Sequence, residues 1–396
     1  MTWKSVTELP VEGKRVFVRV DFNVPMKDGS ITDDTRIRES LRTIEHLLAR
    51  DARVILASHL GKAKGSPDPK YSLSPVAKRL GELLKRPVLF AGDCIGDEAT
   101  SAASALTSGG VLLLENTRFH AGEEKNDAAM SKSLASFADV YVNDAFGTAH
   151  RAHASTAGMA VHFQVKGAGF LMAKELSALE RAVKDPARPY VCILGGAKIS
   201  GKIEALEAFA ARADVLLVGG GMANHFVRAL ELGTGSSLVE EAQIPMARRV
   251  MDAARERGIQ LALPSDFVVT DKFDPPHKTK TVGIASIPDG WSAVDVGPKT
   301  IEQFARLMKG AKTIVWNGPM GVFEQEEFSN GTTGVARLVA EATAEGAFSV
   351  VGGGESVAAV TKAGLASKIS HVSTGGGASL DFLSGKTLPG VKALES

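Results

Sequence analysis

At 396 residues the chain exceeds the roughly 250–300 at which a single hydrophobic core stops growing, so two domains are expected. Apolar and charged fractions of 44% and 23% are those of an ordinary globular protein and argue against disorder. The 46 basic residues are balanced by 45 acidic ones, leaving a net charge of +1. Without a basic excess the chain is not expected to bind nucleic acid or a membrane surface, and any anion must be held by local clusters.

The opening MTWKSVTELPVEGKRV lacks the apolar core of a signal peptide, and no stretch approaches the ~18 apolar residues of a membrane span, which predicts a cytoplasmic protein. Strand-like runs follow at RVFVRV (15–20), VILAS (54–58), VLLLEN (111–116) and VYVND (140–144). Between them lie helical patterns such as TRIRESLRTIEHLLAR and LSPVAKRLGELLKR, with apolar residues at i, i+3, i+4 and i+7. The helical stretch LMAKELSALERAVK ends at KDPARP (184–189), whose two prolines place the expected domain boundary, giving domains 1–184 and 185–380. The second half repeats the alternation with YVCIL (190–194), VLLVG (215–219), LALP (261–264), TIVWN (313–317) and FSVVG (348–352). Near-continuous apolar strands alternating with amphipathic helices predict an α/β fold with parallel sheets covered on both faces, that is, three layers per domain. A single (β/α)₈ barrel is the weaker alternative, because the strands are too many and too unevenly spaced. The two cysteines, Cys94 and Cys192, are far apart, and Cys192 sits inside an apolar run, so both are expected to be reduced.

Open parallel sheets bind ligands beyond the carboxyl ends of their strands, so the residues after each run carry the information. In the first half these are DFN (21–23), HLGK (59–62), TRFH (117–120) and AHRAH (149–153), rich in Arg and His; His59, His120, His150 and His153 all fall here. Arg36, His59, Lys62, Arg118 and Arg151 at successive connections predict a site for a compact polyanion. In the second half the corresponding segments are GGAKISGK (195–202), GGGMA (219–223), NGPMGVFE (317–324), GGGES (352–356) and TGGGAS (374–379). Such Gly-rich loops let backbone N–H groups and helix N-termini approach phosphates. Lys198 and Lys202, four apart at the start of a helical pattern, are expected to reach one phosphate chain. Ile203 stands where a P-loop needs Ser or Thr, and no strand is followed by G-x-G-x-x-G, so a mononucleotide is expected rather than a dinucleotide. No activated nucleophile or metal-ligand spacing stands out, which suits direct phosphoryl transfer by positioning and charge.

Together RVDFNVP, SHLGK, ENTRFHAGEEKN, NDAFGTAHRAHAS, LGGAKISGKIEAL, VGGGMA, WNGPMGVFE, VGGGES and VSTGGGASLDFLSGKTLPGV resemble, in order and over essentially the whole chain, the phosphoglycerate kinase family. The resemblance implies two Rossmann-like α/β/α domains joined by a hinge, a C-terminal tail (381–396) returning to the first domain, and a monomer. It implies reversible transfer of the 1-phosphate of 1,3-bisphosphoglycerate to Mg·ADP, giving 3-phosphoglycerate and ATP. By matching position, Asp21, Phe22, Asn23, Arg36, His59, Leu60, Gly61, Lys62, Arg118 and Arg151 would bind the phosphoglycerate. Lys198, Lys202, Gly220, Asn317, Pro319, Gly321, Glu324, Gly353, Gly354, Glu355 and Ser356 would bind the nucleotide, with Glu324 on the ribose and Glu355 facing Mg²⁺. Arg36, Lys198, Lys202 and Gly376 would attend the transferring phosphoryl. Two positions depart from the family pattern: Lys62 stands where Arg is usual, and Glu355 where Asp is usual. The alternatives are another acyl-phosphate-forming carboxylate kinase and a nucleotide-sensing binding module.

Overall fold

The computed structural model describes residues 3–395. The chain divides into two compact units, one built from residues up to 177 together with those from 387 onward, the other from residues 178–386. The division falls within the helix Phe170–Val183.

The first unit holds β1 (Arg15–Arg19), a hairpin of β2 (Met26–Lys27) and β3 (Ser30–Ile31), then β4 (Arg53–Ala57), β5 (Leu89–Ala91), β6 (Val111–Leu114), β7 (Val140–Asn143) and β8 (Lys166–Ala168). Six of these form a parallel sheet in the order β5-β6-β4-β1-β7-β8, with Val16 in register with both Val54 and Val140. Val16, Phe17, Val18, Val54, Ile55 and Leu56 are fully buried although successive side chains point to opposite faces, so both faces are covered. One cover is the helix Thr35–Leu48, which turns Ile37, Ile44 and Leu47 inward. Another is Ser74–Leu84, with Val76, Ala77 and Leu80 inward, and both join the core around Val16, Val18, Val54 and Leu56.

The end of the chain completes this unit. Leu388, Val391 and Leu394 are buried around the short helix Pro389–Lys392. Gly390 donates its N–H to the Ala149 carbonyl at 2.9 Å, and its own carbonyl accepts from Asn143 Nδ2 at 3.3 Å. A Cβ at Gly390 would stand 3.0 Å from the Ala149 Cα, so a larger residue here would have to push the Ala149 backbone aside.

In the second unit β9 (Tyr190–Leu194), β10 (Val215–Val218) and β11 (Gln260–Ala262) lie on one side, and β15 (Thr313–Asn317), β16 (Phe348–Gly352) and β17 (His371–Val372) on the other, in the parallel order β11-β10-β9-β15-β16-β17. An antiparallel sheet of β12 (Asp266–Thr270), β13 (Thr279–Gly283) and β14 (Ser292–Val296), ordered β13-β12-β14, is an element the apolar runs do not announce. In each parallel sheet the strand order reverses beside the first strand, at β1/β7 and at β9/β15. Such switch points open a crevice at the carboxyl ends of strands, where ligands bind. Among the described residues no helix is long and apolar enough to cross a membrane.

Candidate functional site

At the carboxyl edge of the first sheet, Asp21, two residues beyond the end of β1, accepts from Arg36 Nη1 at 2.6 Å. Its other oxygen lies 3.8 Å from His59 Nδ1. Arg19, at the end of β1, is fully buried and donates Nε–H to Ser155 Oγ at 2.7 Å. Its Nη2 stands 3.3 Å from His59 Nδ1. Because a guanidinium can only donate, His59 must accept there and is neutral. Burial, reinforced by Arg19, Arg118 and Arg36, holds the His59 imidazole well below its usual range. His153 is likewise pushed down to about 4, first by burial and then by Arg19, Arg118 and Arg151. Four guanidiniums thus crowd two neutral imidazoles, while buried Glu123, 4.0 Å from Arg19, answers part of that charge. The remaining positive field faces the strand ends, where a polyanion would relieve it.

The backbone around this cluster is also fixed. Phe22, buried, donates its N–H to Ser58 Oγ at 2.8 Å, and Asn23 Oδ1 accepts from the Gly61 N–H at 2.8 Å. Arg118 Nη1 donates to the Gly61 carbonyl at 2.8 Å and its Nε lies 3.0 Å from Glu124. Gly61 takes φ +62°, and a Cβ there would sit 2.3 Å from the Tyr71 ring. Leu60 is buried beneath, and its carbonyl accepts from Asn116 Nδ2 at 2.7 Å. Lys62 and Arg151 are exposed, Arg151 donating Nε–H to His150 Nε2 at 3.2 Å. His120 pairs instead with Asp93 and is not part of this cluster.

At the switch point of the second sheet, Gly195 donates its N–H to the Asn317 carbonyl at 3.0 Å, and Gly196 to Pro319 at 2.8 Å. Lys202 Nζ donates to the Gly195 carbonyl at 2.7 Å. Burial lowers its pKa from the ordinary 10.5 to about 8, partly offset by Glu355. A Cβ on Gly196 would lie 2.9 Å from Lys202 Nζ and 3.9 Å from Glu355 Oε2, so both side chains border this one glycine. The helix begins only at Ile203, so Lys198 and Lys202 are not on a common helical face: Lys198 is exposed in the preceding loop while Lys202 turns back to the sheet.

Asn317 is buried and its Nδ2 has no hydrogen-bond partner. That orphaned donor borders Gly353, whose φ of +88° starts the helix Gly354–Lys362, and a Cβ on Gly353 would approach it to 2.9 Å. Ser356, buried in the first turn, accepts from the Gly318 N–H. Gly376, at φ +53°, precedes the helix Gly377–Leu383.

A cavity of about 380 Å³ adjoins these groups. Gly196, Gly220, Pro319, Gly321, Glu324 and Glu355 line it, as do Asn224, Leu238, Phe273, Val294 and Val322. Leu238, Phe273, Val294 and Val322 give it an apolar wall sized for a planar base, with the Asn224 amide beside them, and none of the five was singled out from the sequence. Phe273 and Val294 come from the antiparallel sheet and its loop, which no apolar run signals; Arg19 and Glu123 were also missed, although a charged residue ending the apolar run RVFVR was a visible anomaly.

A family model described as phosphoglycerate kinase matches residues 6–386. The chain is 54% identical over 392 residues to the cytosolic phosphoglycerate kinase of Triticum aestivum, covering 99% of this chain and 98% of that protein. It is 53% identical to the phosphoglycerate kinase of Synechococcus elongatus, covering 100% and 98%. Its structure is similar to that of the phosphoglycerate kinase of Coxiella burnetii, with a TM-score of 0.90, 42% identity and 99% of each chain covered.

Proposed function

The chain belongs to the phosphoglycerate kinase family, and from that premise we propose how its residues divide the work. The enzyme is a glycolytic phosphotransferase that moves the 1-phosphate of 1,3-bisphosphoglycerate to ADP, giving 3-phosphoglycerate and ATP. The arginine and histidine cluster of the first unit binds the phosphoglycerate. Arg118 and Arg151 take the 3-phosphate, while His59, held neutral, contributes hydrogen bonds rather than charge. A 3-phosphoglycerate carboxylate is already ionised at neutral pH, so the reverse reaction needs no general base, in keeping with two imidazoles that do not protonate there.

In the second unit the apolar wall takes the base, Glu324 the ribose, and the Gly195–Lys202 and Gly353–Ser356 loops the phosphates. The single observation that carries this placement is the orphaned, buried Asn317 Nδ2 aimed at the Gly353 loop, a donor that a nucleotide phosphate satisfies. Glu355 supplies one carboxylate at that phosphate end, which fits a magnesium ion that otherwise keeps waters and phosphate oxygens. When bound, the metal neutralises phosphate charge; this chain's part is to orient and screen. Arg36, tethered by Asp21, and Lys202 are the cations for the phosphoryl in flight. The two ligand sets stand on different units, so transfer requires the units to close until the reacting atoms are within about 3–3.5 Å. We place the enzyme in the cytoplasm as a monomer.

A coupled assay with ATP, Mg²⁺ and 3-phosphoglycerate, set against glycerate and acetate, tests the substrate. Turnover confined to 3-phosphoglycerate is expected. Equal turnover of glycerate would remove the 3-phosphate role of Arg118 and Arg151.

A further inference from the structure

Apart from the groups assigned above, the first unit gathers three donors of different softness. Cys94 is fully buried just after β5, flanked by Asp93 and His120, which both reach solvent. One carboxylate oxygen, the Sγ and one imidazole nitrogen all lie within 4.8 Å of one another. His120 Nε2 is 2.6 Å from Asp93 Oδ1. That oxygen also accepts from the backbone N–H of Cys94 at 2.6 Å and of Ile95 at 3.3 Å, so the turn itself fixes the carboxylate, and the carboxylate fixes the ring. Among the described residues this is the one His, Cys and carboxylate cluster close enough to share an ion.

We propose that Asp93, Cys94 and His120 form a binding site for one zinc-class divalent cation. Sulfur, imidazole and carboxylate together suit a borderline-soft ion and not magnesium, which seeks oxygen alone. On binding, the Cys94 thiol gives its proton to solvent and a metal–sulfur bond forms. The proton that His120 Nε2 directs at Asp93 passes through solvent to Nδ1, leaving Nε2 free to bind, and the His120–Asp93 hydrogen bond is exchanged for two bonds to the ion. Three protein ligands leave a fourth position for water, and the ion enters from the exposed Asp93 and His120 side. His120 closes the turn Thr117–Phe119, which carries Arg118, so the cation and the anion site share one short segment. The other cysteine, Cys192, is buried within β9 and offers an internal control.

Titration of the full-length protein with Co²⁺, followed by the near-ultraviolet thiolate-to-metal charge-transfer band, tests the site. The band is expected to saturate at about one equivalent, to disappear when Zn²⁺ is added, and to persist in excess Mg²⁺. It should be lost in Cys94→Ser and His120→Gln and kept in Cys192→Ala, with folding checked by circular dichroism. No thiolate band in the folded parent, or a band that survives Cys94→Ser, overturns the proposal. If Cys94→Ser does not fold, His120→Gln at a part-exposed position decides, and an undiminished band there overturns it equally.

Discussion

Lys202 carries a proton whose affinity the fold has weakened, and this makes nucleotide binding depend on pH in a defined direction. Its pKa falls from 10.5 to about 8 because burial disfavours the ammonium. About one side chain in ten is then neutral at pH 7 and about nine in ten at pH 9. A bound phosphate chain restores the ammonium, so nucleotide affinity should be nearly flat below pH 8 and fall toward tenfold per pH unit above it. At pH 8 binding should take up about half a proton per nucleotide. The free protein shows the opposite trend. Between about pH 8 and 10.5 the unfolded chain holds this proton and the folded chain does not, so stability from this group rises with pH across that window. The full effect is at most about 3 kcal/mol, less what solvent screens at this half-buried side chain. Titration calorimetry at pH 7, 8 and 9, in buffers of different ionisation enthalpy, measures affinity and proton uptake together, and urea unfolding measures stability. Lys202→Met should bind weakly at every pH and lose both slopes. The same pH slope in the parent and in Lys202→Met would refute the reasoning.

Arg36→Ala should lower kcat by about 10²-fold, the order expected for a lost transition-state donor; a normal kcat with only KM raised would leave Arg36 a binding residue. Glu355→Gln should raise the Mg²⁺ concentration for half-maximal rate, measured at saturating ATP, while 3-phosphoglycerate KM stays unchanged. Gly61→Ala meets the Tyr71 ring at 2.3 Å and an unfavourable φ, so a loss of about 1–3 kcal/mol is expected in urea unfolding, together with weaker 3-phosphoglycerate binding. Asp295, buried under the cavity wall, is raised from 3.8 to about 7 by burial. Between those values the folded chain holds a proton that the unfolded chain has released, so its contribution to stability falls as pH rises from about 4 to 7. Asp295→Asn should therefore raise the urea midpoint at pH 7.5 relative to that at pH 4.5.

The long strands and helices were readable because a parallel sheet covered on both faces leaves unbroken apolar runs, as in VILA and YVCIL. Candidate loops for ligands could be picked out for the same reason, since each such run points to the segment after it. What escaped were elements without a packing signature of their own. β5, β8 and β17 are two- or three-residue edge strands, and β13 exposes most of its TKTVG side chains. Hidden charge also escaped: the arginine ending RVFVR is a local anomaly, but nothing local shows what would pair with it once buried, because its partners Ser155 and Glu123 arrive from more than a hundred residues away. For Lys198 and Lys202 the helical spacing does not apply, since a 3-10 turn at Ser200–Lys202 delays the α-helix to Ile203.

The seat that receives Leu388, Val391 and Leu394 is made early in synthesis, and the residues that fill it are made after the entire second unit. On the ribosome the first sheet therefore waits, with an apolar gap beside Ala149 and Asn143, through the translation of two hundred further residues. Its packing is completed only by residues that lie beyond the whole second unit in the sequence. A chain released before residue 387 would leave that gap open, so a truncated product carries an apolar mark of its own incompleteness that proteases and chaperones can read.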